Sequence, residues 1–97
     1  MATPTDGLDP ALAAQFEQIR RQFVAGLARR LDEIDNAPDA ASLESALHRL
    51  AGAAGGYGYA DIGELAQQAL RALRAADASA VASALAQLRA EIRTLLA

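Results

Sequence analysis

The sequence contains no cysteine, no tryptophan and no lysine, and only two Phe, two Tyr and a single histidine. Without cysteine there is no disulfide framework and no thiolate metal site, which is compatible with a reducing compartment. One His and no Cys also exclude a His/Cys zinc cluster, and the carboxylates are scattered along the chain. Val and Ile are few as well, so the β-branched and aromatic residues that suit a sheet are scarce, whereas helix-favouring Ala and Leu are plentiful. All nine basic residues are Arg and the net charge is −3, which gives none of the basic excess of a nucleic-acid binder. No uncharged apolar run approaches the length that crosses a membrane. Residues Met1 to Asp6 lack the basic start and apolar stretch of a signal peptide, so the expectation is a soluble, cytoplasmic protein. The initiating Met points to a free-standing one. At 97 residues the chain fits one domain with one core.

What is present is helical periodicity. Residues 1–7 are polar, contain Pro4 and read as a flexible tail, leaving 8–97 as the folded domain. Asp9-Pro10 reads as an N-cap followed by proline at the first helical position. Leu12, Phe16, Ile19, Phe23, Leu27, Leu31 and Ile34 then recur at spacings of three or four, which predicts one long amphipathic helix. It is longer than the others, so one end of it should overhang or partly pack against the tail. Arg20, Arg21, Arg29 and Arg30 fall off the stripe, on a solvated face.

Asp39 caps a second helix with apolar positions Leu43, Leu47, Leu50, Ala54 and Tyr57, ending among Gly55, Gly56 and Gly58. Asp61 and Glu64 resemble a capping box for a third helix carrying Ile62, Leu65, Ala69 or Leu70, and Leu73. Asp77 caps a fourth with Val81, Leu85, Leu88, Ile92 and Leu95. Four such helices with short links predict an all-α, antiparallel four-helix bundle.

On the second helix the apolar positions span a sector of roughly 80°, and His48 lies roughly 140° from its centre. The ring should therefore face solvent. Glu44, Ser45, Ala51 and Gly52 are its neighbours at three and four residues, and Gly52 and Gly55 project to nearly the same side. A glycine within a helix costs about 1 kcal/mol relative to alanine. Bare backbone beside His48 would let a partner's active site come close, and helix termination is the alternative account of Gly55 and Gly56. Gly52 lies a turn or more before that end, and its outward direction argues against close helix packing.

His48-Arg49-Leu50-Ala51-Gly52-Ala53-Ala54-Gly55-Gly56-Tyr57-Gly58, followed by Ile62, Leu65 and Gln67-Gln68, resembles the signature of histidine-containing phosphotransfer (HPt) domains. That pattern has a phosphorylated His, an apolar residue two on, Lys three on, Gly four on, a small residue at six and Gly at ten. The motif covers about a quarter of the chain, and the four-helix layout extends the likeness to nearly all of it. One departure stands out: the usual Lys is Ala51 here. Arg49 is long enough to stand in for it but points elsewhere.

The resemblance implies reversible phosphoryl transfer between His48 and an aspartyl phosphate of a response-regulator receiver domain, with a sensor or hybrid histidine kinase as a further partner. It implies no cofactor on this chain, since the receiver brings the acidic pocket and the Mg²⁺. Arg49, Ala51, Gly52, Gly55, Glu44 and Ser45 are then expected to set docking and accessibility around the ring, and Glu44 or Ser45 could fix its tautomer by a hydrogen bond. The glycine cluster is not a phosphate-binding loop, because it lacks the Lys-Ser/Thr ending and follows a helix, so no intrinsic kinase activity is expected. Nothing in the sequence assembles a Ser-His-Asp triad. A monomer is expected. Two other readings stand beside the carrier: a helical adaptor that keeps the docking surface without phosphotransfer, and a structural bundle that self-associates through alanine-rich faces.

Overall fold

The computed structural model describes residues 9–97, so the expected tail at 1–7 and Leu8 lie outside the described residues. Helices α1 (Pro10–Ala25), α2 (Leu27–Asp35), α3 (Ala40–Gly56), α4 (Ala60–Arg74) and α5 (Ala78–Leu96) account for nearly all of it, and no strand occurs among the described residues. Three of the starts follow the expected caps. Asp9 accepts from the Ala11 N–H at 2.8 Å, Asp39 from Ser42 at 2.7 Å and Asp77 from Ala80 at 3.0 Å.

The Asp39 carboxyl is held below the usual carboxylate range, first by the Ser42 N–H and then by the Ser42 hydroxyl. A depressed folded pKa adds stability that is present above the unfolded value, about 3.9, and is lost as pH falls through the folded one. Asp39→Ala should therefore lower the melting temperature at neutral pH and flatten its decline below pH of about 4. Thermal melts across that range check both effects.

The single long helix expected from Pro10 to Ile34 is instead two, α1 and α2, broken at Gly26. The Gly26 N–H is shared between the carbonyls of Gln22 and Phe23, both at 3.1 Å, and Gly26 then accepts from the Arg30 N–H at 3.1 Å. Glycine's low helix propensity loosens the ladder for one residue. No loop is inserted, so the apolar period runs on through the break.

The start of α4 also differs from expectation. Its N-cap is Tyr59, which offers no side-chain bond, and Asp61 lies inside the first turn. Glu64 pairs with Arg71 at 3.1 Å instead of closing a box with Asp61. The preceding turn makes this shift necessary. Gly58 takes φ +85°, the Tyr59 N–H reaches the Ala54 carbonyl at 2.9 Å and the Gly58 N–H reaches Gly55 at 3.4 Å. This left-handed C-terminal motif uses Gly58 as its pivot, so the next helix begins at once. The end of α4 repeats it with Ala76 at φ 54°, an alanine in a conformation that favours glycine.

Links of three or four residues make α2, α3, α4 and α5 antiparallel neighbours. The main packing runs between α3 and α4 and between α4 and α5, and α2 closes the bundle against α3 and α5. Leu27, Leu47, Leu50, Ile62, Leu70, Leu88 and Ile92 are fully buried, with Ala54, Ala66 and Ala69 between them. Alanine at these contacts lets the helix backbones approach closely. Arg89 ties α5 to Asp35 at the end of α2 through a 2.7 Å ion pair.

An overhang at one end of the first apolar stripe was expected, and it is the start of α1 that extends past this core. Leu12, Phe16 and Ile19 remain 46%, 46% and 40% exposed, whereas Phe23 is buried. Phe23 stacks on Tyr57 and Tyr59 with ring centroids 5.1 and 5.2 Å away, anchoring α1 to the α3–α4 turn. The Arg30 guanidinium lies 5.9 Å from the same ring, a cation–π contact for a residue expected on the solvated face.

Candidate functional site

Helix α3 presents two faces of opposite character. Leu47, Leu50 and Ala54 are wholly buried, while His48 and Arg49 are exposed. The sequence between the Asp39 cap and the Gly58 pivot thus fixes both the axis of the helix and the outward direction of the imidazole. Past His48 the outer surface is bare backbone. Gly52, Gly55 and Gly56 are exposed, and a Cβ built on any of the three would meet no atom within 4 Å. Close helix packing therefore does not account for Gly52.

The flanks of this strip are charged. On one side Arg49 reaches across to Glu33 of α2 at 3.2 Å, and Glu33 also holds Arg29 at 3.0 Å. On the other, the Arg74 Nε at the end of α4 donates to the Glu44 carboxylate at 3.1 Å. His48, Glu44, Ser45, Ala41 and Arg74 together line a shallow recess of about 390 Å³. Beneath the strip, α3 and α4 meet at Gly63. A Cβ there would lie 3.5 Å from the Ala51 carbonyl oxygen and 3.8 Å from the Ala54 Cβ, so the two helices meet at van der Waals distance.

One exposed imidazole is available as a nucleophile. Among the described residues no group of three or more His, Asp or Glu could hold a metal ion.

The sequence profile of the Hpt domain matches residues 12–97. The chain belongs to the Hpt domain family. No curated protein and no solved structure matches it significantly. Hpt domains serve histidine phosphotransfer in two-component phosphorelays, where they interact with receiver domains and kinases. The helical bundle is the all-α fold of that family, and no described helix of this Hpt domain is long and apolar enough to cross a membrane.

The structure distributes the expected site residues of this Hpt domain unevenly. His48, Gly52, Gly55 and Ser45 are exposed on one side of α3, with Arg49 exposed on another. Ala51 is not part of the accessible surface. It is 8% exposed, so it offers little of the accessibility expected of it, and its carbonyl oxygen would lie 3.5 Å from a Cβ at Gly63 of α4. Glu44, one of the two residues that could have bonded the ring, accepts from the Arg74 Nε instead. Two residues near the site were not anticipated. Gly63 is visible in the sequence only as a glycine one residue after the buried Ile62, and Arg74 is 26 residues from His48. Glu44 in the second turn of α3 and Arg74 in the last turn of α4, which antiparallel packing brings to the same end of the pair, were the signal that could have found Arg74.

Proposed function

We propose that this Hpt domain is a phosphorelay intermediate in which His48 accepts a phosphoryl group from an aspartyl phosphate of a response-regulator receiver domain and gives it to another. The observation that carries this reading is the placement of the chain's one histidine: outward on α3, beside three glycines with open space above them. A receiver's active site must come within bonding distance of the ring, and bare helix backbone allows that approach.

In the transfer the unprotonated ring nitrogen attacks phosphorus in line with the leaving oxygen. The N–P bond forms as the P–O bond breaks, and its electron pair leaves with the aspartate carboxylate. The other ring nitrogen keeps its proton, so the product is a phosphoimidazolium that can release that proton to water. The reverse step restores the neutral imidazole, a competent nucleophile near physiological pH. Mg²⁺ and the acidic pocket belong to the receiver, and a sensor or hybrid kinase is a second partner. The domain acts as a monomer in the cytoplasm, because a dimer covering His48 would block the receiver.

One observation favours a second reading, a degenerate Hpt domain that binds receivers without transfer. Position 51 carries no cation, and Arg49 points away from the ring toward Glu33 of α2. Incubation with phosphorylated receivers separates the two readings. The carrier predicts label on the wild type that survives alkali and is lost in acid, and none on His48→Gln. Receiver binding without label on the wild type, across several receivers, would establish the adaptor.

A further inference from the structure

The recess beside His48 holds one cation, and that cation comes from α4. Arg74 extends from the last turn of α4 to Glu44 at 3.1 Å, one turn of α3 before His48, and all three side chains border the same space of about 390 Å³. Water takes up about 30 Å³ per molecule in the liquid, so a phosphoryl group on the ring fits here by displacing a few waters. The Glu44–Arg74 pair is exposed on both sides, at 44% and 58%. Such pairs contribute little and exchange readily. A phosphoryl group on nitrogen carries more negative charge than a carboxylate and offers three acceptor oxygens, so it competes well for the guanidinium.

We propose that Arg74 is the phosphoryl-binding cation of this Hpt domain, and that Glu44 is its resident counter-ion, exchanged for the phosphoryl group when His48 is modified. The assignment rests on His48 being the modified residue. It supplies from the neighbouring helix the charge that Ala51 does not carry on α3. Arg49 is excluded from the role by its direction, since it spans the opposite flank of α3 to Glu33. Ser45, exposed on the same border, adds a hydroxyl donor without charge.

The test uses phosphoramidate, a small phosphodonor that needs no receiver docking, and follows the phosphorus NMR signal of phosphorylated His48 through a pH titration at low salt. A cation on the phosphoryl group lowers the pH midpoint of its last protonation. Arg74→Gln is expected to raise that midpoint by up to about 0.7 unit, the range an exposed pair permits. Arg74→Lys should restore most of the shift. Glu44→Gln should move it the opposite way, and Arg49→Gln should leave it unchanged. Transfer from a receiver should slow about fivefold in Arg74→Gln. A midpoint unchanged in Arg74→Gln, or one that moves with Arg49→Gln instead, overturns the assignment. If the receiver fails to phosphorylate the wild type, the functional reading falls, while the phosphoramidate titration still decides Arg74.

Discussion

Gly52→Trp is expected to leave the bundle folded and to lower phosphoryl transfer from a receiver by about 100-fold, the scale of loss when reacting groups are held out of position by an ångström or more. The fold survives because the new side chain starts in open space: a Cβ at Gly52 meets nothing within 4 Å, and any residue other than glycine or proline raises the helix propensity of α3. The transfer suffers because Gly52 lies one turn after His48 on its exposed side, where an indole would stand between the ring and an approaching receiver. Phosphoramidate separates blockage from damage to the ring. It should phosphorylate the variant at the wild-type rate, since a small donor needs no docking surface. Equal rates with both donors in wild type and variant would show that the bare strip has no part in docking. Circular dichroism should show helicity unchanged or slightly increased.

Leu47→Ala is expected to remove about 3 to 5 kcal/mol of stability, the upper part of the range for emptying a fully buried leucine site. Domains of this size are stable by about 5 to 15 kcal/mol, so the loss is a large fraction of the total. The melting temperature should fall on the order of 20 °C. Leu47 is 0% exposed and adjoins His48 in sequence, so its burial is what turns the imidazole outward. Its neighbours in the core include alanines, whose short side chains cannot reach into the space left behind, and helices tied by three-residue links have little freedom to collapse on it. A denaturant titration with an unchanged slope and a lower midpoint would confirm a loss of stability without a change in the unfolded state. A loss below about 1 kcal/mol would mean that the site repacks, contrary to the close fit described for α3 and α4.

These two residues also mark what the sequence makes legible. The outward direction of His48 follows from a local rule, because Leu43, Leu47, Leu50 and Ala54 recur at helical spacing and fix the buried face without reference to the rest of the chain. The caps Asp9, Asp39 and Asp77 are equally local, each being a side chain that serves a backbone N–H two or three residues on. Ala51 fails the same treatment. It sits roughly 80° from the centre of the apolar sector, and alanine is indifferent to burial, so its environment was decided by the packing of the bundle, which leaves it 8% exposed. The misassigned capping box at Asp61 has a related cause. The pattern was present, but the left-handed turn at Gly58 brought the helix start forward to Ala60, leaving Asp61 inside. Gly26 shows the converse: a single glycine broke α1 from α2 without disturbing the period that made them look like one helix. Arg74 was hidden by distance along the chain alone, since only the register of the antiparallel pair brings it to Glu44.

The role of His48 is tested most directly on chain carrying nitrogen-15 in the histidine ring, mixed with a phosphorylated receiver domain and Mg²⁺. With one histidine in the sequence, the ring signals need no assignment. The expected result is a new pair of ring resonances split by coupling to phosphorus, appearing as the receiver loses its label and vanishing when unphosphorylated receiver is added in excess. Ring signals that shift on receiver binding but never acquire phosphorus coupling would contradict phosphotransfer through His48 and leave an Hpt domain that only docks.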